Sequence, residues 1–296
     1  MSLDFLSKPN DLVALLQVSD AEDIHVLVDY ITDKGKGRIA LASDVCAKLT
    51  TAKEMGRYDR SDLVDIGYEI RRFGGNTLTN LYRDARWALF GHTNPISSVL
   101  DKVLPDSSPA VDYDEVVRDV ASNLKVNFNK NDSLLIIEDG ILRKLLKDSF
   151  EKMSPEERKT VLDELGVTDL SLLAPAATAA TLLAGKMAGF ATYKIALMVA
   201  NAVAKALLGK GLSFAGNAML TRSLSVVLGP VGWVVAGLWT IADMASPAYR
   251  VTMPCVVQIA YMRQKAIMKA SAVICPKCEE TNAKGSKFCS GCGAPL

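Results

Sequence analysis

Between Leu170 and Ala242, 73 consecutive residues contain no aspartate or glutamate. Only Lys186, Lys194, Lys205, Lys210 and Arg222 carry charge there, and Ala, Leu, Val and Gly dominate. Within this stretch, "SLSVVLGPVGWVVAGLWTIA" (223–242) is a run of twenty residues with no charge at all. Apolar surface on that scale has to be hidden, either in a protein core or in a bilayer. Twenty residues meet the length that a helix needs to cross a hydrocarbon layer of about 30 Å. Pro230 interrupts the middle, however, and Gly229, Gly232 and Gly237 lower helix propensity while letting helices approach closely. The expectation is a membrane-prone hairpin with Trp233 and Trp239 in contact with lipid; a buried hairpin turning at Gly229–Pro230 is the alternative.

The five charges of this stretch add a second constraint. At about 100° per residue, Lys194 falls roughly 80° from Lys186, and Lys205 roughly 20° beyond Lys194, with Asn201 on the same side. The pattern is a narrow cationic stripe on an apolar cylinder. It suits an interfacial helix whose Lys186, Lys194, Lys205, Lys210 and Arg222 meet anionic headgroups, or a helix with almost all of its surface buried.

Charge is divided the same way along the whole chain. Residues 1–169 hold 30 acidic and 22 basic side chains, whereas residues 170–296 hold 3 and 12. The formal net charge of +1 therefore conceals an acidic half joined to a basic one. The basic half calls for a negative partner: anionic lipid, nucleic acid, or the acidic half itself.

Helical periodicity alternates with polar breaks through the first 165 residues. "DLVALLQVSDAEDIHVLVDYITD" predicts two short helices, the second starting near Ser19 or Asp20. "SDLVDIGYEIRRFGGNTLTNLYRDARWALF" predicts helix, turn, helix, with Gly74 and Gly75 ending the first and Asn76 capping the second. "PDSSP" (105–109) reads as a loop, and Ser154–Pro155 as a helix restart. Towards the end, Ser246–Pro247 marks a helix start and Pro254 a kink, while Arg263, Lys265 and Lys269 suit the negative end of the helix dipole. No alternating run is long enough for a sheet. The fold class is all-α, divided into an acidic multi-helix part (1–168), an apolar, basic helical part (169–272) and a small tail (273–296).

That tail, "CPKCEETNAKGSKFCSGCG", carries the one strong chemical signal. Cys275 and Cys278 form one CxxC pair and Cys289 and Cys292 another, with ten residues between. Two thiolates from each loop can close a tetrahedron round one ion, which points to a zinc ribbon with a single structural Zn2+. Phe288 is placed to cover one side of the cluster, Lys277 to moderate its charge, and Gly291 and Gly293 to permit the tight turn. Disulfides or an iron–sulfur cluster are the alternatives. A segment this short cannot fold on buried apolar area alone, so the metal supplies its stability. Four protein ligands leave no open position for catalysis.

Other signals are weaker. "DKGKGR" (33–38) lacks the order of a phosphate loop and reads as a helix connection. His25 and His92 have no ligand or triad partners at a useful spacing, and His25 reads as a core or boundary residue. Cys46 and Cys255 read as small buried hydrophobes. The chain presents no catalytic constellation and is expected not to be an enzyme. Only Lys277, Lys284 and Lys287 are basic in the tail, so nucleic acid fits poorly and a protein partner fits better.

"EIRRFGGNTLTNLYR" (69–83), "FEKMSPEERK" (150–159) and "GPVGWVVAGLWTIADMASPAYRVTMPCVVQIAYMRQK" (229–265) resemble the bacterial YaaW-like family. The Ala-Tyr-Arg-Val-Thr-x-Pro element at 248–254 is the most specific piece. That family is labelled ubiquinol–cytochrome c chaperone-like, which implies an assembly chaperone; it brings no active-site residue with it. The tail separately resembles the bacterial zinc ribbon CPxC…KFCxxCGxxL, and in the family resemblance it stands as an addition. Without a recognisable leader, and with paired CxxC thiols, the expected location is the cytoplasm, peripheral to or partly inserted at the inner face of the cell membrane. The expected function is a membrane-associating helical adaptor or a stress or defence effector, with an anionic membrane surface or a membrane protein as partner and a homo-oligomer as an open possibility. The alternative is a soluble assembly chaperone for membrane or respiratory-complex proteins.

Overall fold

The computed structural model describes residues 8–38, 41–90, 110–150, 152–164, 190–212, 248–278, 281–283, 285–289 and 291–296. The described chain is helical apart from two three-residue strands near its end. Its helices are α1 (Leu12–Gln17), α2 (Ala21–Thr32), α3 (Ser43–Glu54), α4 (Arg60–Phe90), α5 (Tyr113–Asn123), α6 (Leu134–Phe150), α7 (Pro155–Glu164), α8 (Phe190–Leu208) and α9 (Tyr249–Ala270). Strands β1 (Ala272–Ile274) and β2 (Thr281–Ala283) pair antiparallel.

Local chemistry sets several of the helix starts. Asp11 accepts the Ala14 amide at 3.2 Å and caps α1. Asp20 occupies the N-cap position of α2 as expected, but its side chain makes no capping hydrogen bond. At α7, the Ser154 amide donates to Glu157 Oε2 at 2.8 Å and the Glu157 amide to Ser154 Oγ at 3.2 Å. This reciprocal pair satisfies two orphan donors and confirms the Ser154–Pro155 restart.

The predicted turn at Gly74–Gly75 is not there. Helix α4 runs unbroken for 31 residues, with Gly74, Gly75 and Asn76 inside it. Tertiary contact explains the glycine. A Cβ on Gly74 would stand 2.4 Å from Val116 Cγ2 and 3.3 Å from Val111 Cγ2, so the missing side chain is what lets α5 pack closely on α4. Alanine would gain about 1 kcal/mol in helix propensity. Overpacking costs about 1–3 kcal/mol, and here the overlap is with a branched side chain on the neighbouring helix. Gly74→Ala is therefore expected to lower stability by about 1–2 kcal/mol in urea unfolding. A more stable variant would show that α5 does not approach α4 this closely.

Helix α9 lies at the centre, packed on α1, α2, α4, α5, α6 and α8. Every residue from Val251 to Arg263 is buried, and Pro254 lies inside the helix. Helix α8 pairs with α9, and its residues Ile195 to Ala204 are all buried, with the Tyr193 and Tyr261 rings stacked 6.2 Å apart. The apolar cylinder read from the sequence is thus enclosed by protein over 195–204. After α8, Asn201 Oδ1 accepts the Leu212 amide at 2.9 Å, tying the following loop back to the helix. One continuous hydrophobic core runs from Leu12 to Ala266. The compositional boundary at 168/169 therefore does not coincide with a break in packing among the described helices. No described helix is long and apolar enough to cross a membrane. The run 223–242, with Trp233 and Trp239, and the starts expected at Ser246–Pro247 and the loop 105–109 lie outside the described residues.

Candidate metal centre

Ser271 is the only residue between the end of α9 and the first strand of the tail. β1 and β2 pair in the register Ala272↔Ala283, Val273↔Asn282 and Ile274↔Thr281, which sets the first CxxC loop just beyond β1. A second, tighter hairpin holds the other loop. The Cys289 amide donates to the Ala294 carbonyl at 2.7 Å and the Leu296 amide to the Lys287 carbonyl at 3.1 Å. Gly293, at φ +70°, makes the left-handed turn between them.

These two hairpins bring Cys275, Cys278, Cys289 and Cys292 together, with all four Sγ atoms within 4.8 Å of one another. Cys275 Sγ lies 3.7 Å from Cys292 Sγ, and Cys278 Sγ 3.5 Å from Cys289 Sγ. A tetrahedral ion with metal–sulfur bonds of about 2.3 Å requires sulfur–sulfur separations of about 3.8 Å. The spacing and the donor set fit zinc, and none of the four thiols is in a disulfide. Amides point at the sulfurs: Lys277 N to Cys275 at 3.4 Å and Gly291 N to Cys289 at 3.3 Å. The Asn282 side chain adds a donor to Cys289 at 3.6 Å. Burial works to raise the Cys289 thiol, but hydrogen bonds from the Cys292 and Gly291 amides and from Asn282 bring it down to about 6. A thiolate is the form that binds metal. Phe288, expected to cover one side of the cluster, is 64% exposed, and its backbone bridges Pro295. At Lys277 it is the amide that the structure places on a ligand sulfur.

A second polar assembly, unread in the sequence, lies within the helices. Arg263 is fully buried and donates from Nε to Glu138 Oε2 at 2.8 Å, while the Tyr113 hydroxyl donates to Glu138 Oε1 at 3.0 Å. Arg263 Nη2 also reaches the Pro9 carbonyl at 3.1 Å. Two residues on, Lys265 pairs with Asp23 at 2.7 Å and Asp20 at 2.6 Å, and one turn further Lys269 pairs with Asp20 at 2.8 Å. Gln258 Nε2 donates to the Asp23 carbonyl at 3.1 Å. The basic end of α9 is therefore not only a complement to its own dipole. It is bonded to carboxylates of the acidic half, which answers part of the charge asymmetry from within the molecule.

Acid and alkali should separate these groups. Burial works to raise Asp20, but hydrogen bonds from Lys265 and Lys269 hold its carboxyl below the usual range. Its contribution is full above the ordinary Asp value of about 3.9 and is lost as pH falls through the lower folded value. Burial works to lower Lys265, yet Asp23 and Asp20 raise it, so its contribution is full below about 10.4 and is lost as pH rises through the folded value. Asp23 acts in the opposite sense to Asp20, because burial raises its carboxyl despite Lys265. The melting-temperature difference between the native chain and Asp20→Asn should thus be present at pH 7 and shrink below about pH 4. A difference independent of pH would mean that Asp20 is not charged in the fold.

Among the residues expected to meet lipid, Lys186, Arg222, Trp233 and Trp239 lie outside the described residues. Lys194 is half-buried on α8 and Lys205 exposed near its end. Lys210, 65% exposed, lies 3.4 Å from Asp29 of α2. The structure does not gather Lys194, Lys205 and Lys210 with the cysteines. Cys46 and Cys255 are buried free thiols, as read from the sequence, and His25 is a half-buried boundary residue against the Tyr58 ring.

Residues 274–296 match the zinc-ribbon domain family, and residues 122–257 match the ubiquinol-cytochrome C chaperone family. A UPF0174 protein of Helicobacter pylori strain J99 is 49% identical over 154 residues, which are 52% of this chain and 61% of that protein. A second, from Helicobacter pylori strain 26695, is 35% identical over 205 residues, 68% of this chain and 87% of that protein. The chain belongs to the UPF0174 family. The UPF0174 protein YaaW of Escherichia coli K12 is 25% identical over 269 residues, 89% of this chain and 97% of that relative. No solved structure matches this UPF0174 chain.

Proposed function

We propose that the chain is a non-enzymatic assembly chaperone or adaptor for membrane or respiratory-complex proteins, whose ribbon makes the contact with the client. The observation that carries this reading is the ribbon's surface. Four clustered thiols can close round one structural zinc with no open position left, while Val273, Phe288 and Leu296 of the ribbon stand 37%, 64% and 36% exposed. An exposed aromatic on a rigid small scaffold suits a protein-binding anchor. The match of 122–257 to a chaperone family supports the same reading. The test is a photo-cross-linking side chain at position 288, compared with one at Met55, which is 72% exposed at the C-cap of α3. A discrete protein adduct at 288, absent at 55 and lost with Cys275→Ser, is expected; equal yields at both positions would count against it.

A second reading, attachment to an anionic membrane at the inner face of the cell membrane, rests on the uncharged run 223–242 between Arg222 and Asp243. Retention in an alkaline-washed membrane pellet is the expected result for that reading. Release into the wash, with no binding to anionic vesicles, would remove it.

A further inference from the structure

The two CxxC loops divide their cysteines in the same way. In each, the first is buried, Cys275 at 0% and Cys289 at 4% exposure, and the second, Cys278 or Cys292, is exposed. Backbone amides hold the buried members: Lys277 N on Cys275 and Gly291 N on Cys289, with Asn282 as a further donor to Cys289. An ion held by all four thiolates therefore has Cys278 and Cys292 as its accessible ligands.

Each exposed cysteine also lies against a buried one of the other hairpin. Cys292 Sγ is 3.7 Å from Cys275 Sγ, and Cys278 Sγ is 3.5 Å from Cys289 Sγ. Each contact thus joins a sulfur that a dissolved oxidant can reach to one placed to react with whatever forms there. Disulfide sulfurs stand about 2.05 Å apart, so each pair has to close by roughly 1.5 Å. The other two thiols of the chain have no such arrangement. Cys46 and Cys255 are buried in the helical core, and burial pushes the Cys255 thiol well up, away from the reactive thiolate.

We propose that the ribbon is an oxidation site, at which peroxide joins Cys275 to Cys292 and Cys278 to Cys289 and so releases the metal. In each pair the exposed thiolate attacks hydrogen peroxide. A sulfur–oxygen bond forms as the oxygen–oxygen bond breaks, and the departing hydroxide takes a proton and leaves as water. The buried thiolate then attacks the sulfenic acid. The sulfur–sulfur bond forms as the sulfur–oxygen bond breaks, and a second hydroxide leaves as water with a second proton. One peroxide is reduced for each pair oxidised, and with both pairs oxidised no thiolate is left to hold Zn2+. Bridges of this pairing tie the two hairpins together as the metal does, whereas bridges inside each CxxC loop leave them unlinked. The proposal rests on the four thiols holding zinc and is independent of the client contact.

The experiment follows zinc and disulfides together in the intact protein, purified without chelators and titrated with hydrogen peroxide beside a zinc-sensitive dye. Peroxide is expected to release all of the zinc, and an untreated sample to keep it. Peptide mapping without reduction should find 275 joined to 292 and 278 joined to 289, with Cys46 and Cys255 still free thiols. Dithiothreitol followed by added zinc should restore the metal content. Zinc that stays bound through the titration overturns the proposal. Bridges within the CxxC loops, or sulfinic acid at these cysteines with no bridge formed, overturn it as well. A chain that holds no zinc before peroxide is added refutes the metal assignment itself, and this proposal falls with it.

Discussion

Replacing Arg263 by methionine is expected to destabilise the fold by about 3–5 kcal/mol, the cost of leaving a buried charge without its partner. Glu138 would keep only the Tyr113 hydroxyl as a donor, in a site where Glu138 is 2% exposed and Tyr113 fully buried. The size of the loss reflects the stranded carboxylate more than the value of the pair. The double variant Glu138→Leu with Arg263→Met, which removes both charges, should therefore recover most of that loss. Urea unfolding of the two single variants and the double completes the cycle. A loss under about 1 kcal/mol for Arg263→Met would mean that water reaches Glu138 and that α9 is not packed on α6 as described.

Removing the metal is the second large effect. Structural zinc sites in ribbons of this size bind with roughly 10–16 kcal/mol, and that binding is also their folding free energy. Here β1 and β2 are three residues each, and among the described side chains of the tail only Cys275, Asn282 and Cys289 are buried. Little else holds it. A chelator, or Cys275→Ser or Cys292→Ser, should unfold residues 273–296 and abolish zinc by elemental analysis, from an expected one ion per chain. The helices should keep their circular dichroism and melting temperature, because the core from Leu12 to Ala266 contains no ribbon residue. Protein purified without chelators that holds no zinc, or iron with visible absorbance, would refute the assignment.

What the sequence revealed and what it concealed divide along the range of the interactions. Ser154, Pro155 and Glu157 announce a helix start because all the atoms involved lie within four residues. The four cysteines announce a metal site because thiolate spacing is itself the chemistry. Gly74–Gly75 misled, since paired glycines look like a stop when the neighbour that needs the space, Val116, is 42 positions away. Arg263 and Lys265 misled in the same way. Their acidic partners Glu138 and Asp23 lie 125 and 242 residues off, so the dipole of α9 was the explanation within reach. One signal was available: residues two apart on a helix point about 200° apart, so Arg263 and Lys265 cannot share one solvent face. The cationic stripe of α8 left two readings open; the span 195–204 is buried, and the five charges of the stripe all lie outside it.

The central position of α9 also sets an order of events during synthesis. A ribosome adds about 5–20 residues per second, so roughly 12–50 s separate the appearance of Asp23 from that of Lys265, 242 residues later. Through that interval Asp23 and Glu138 have no cation of α9 to meet, and the faces of α2, α4, α5 and α6 that will enclose it stay open to water. The acidic half is thus made early and completed late. A chain cut before Tyr249 would keep its helix-forming segments but not the helix they were built to surround.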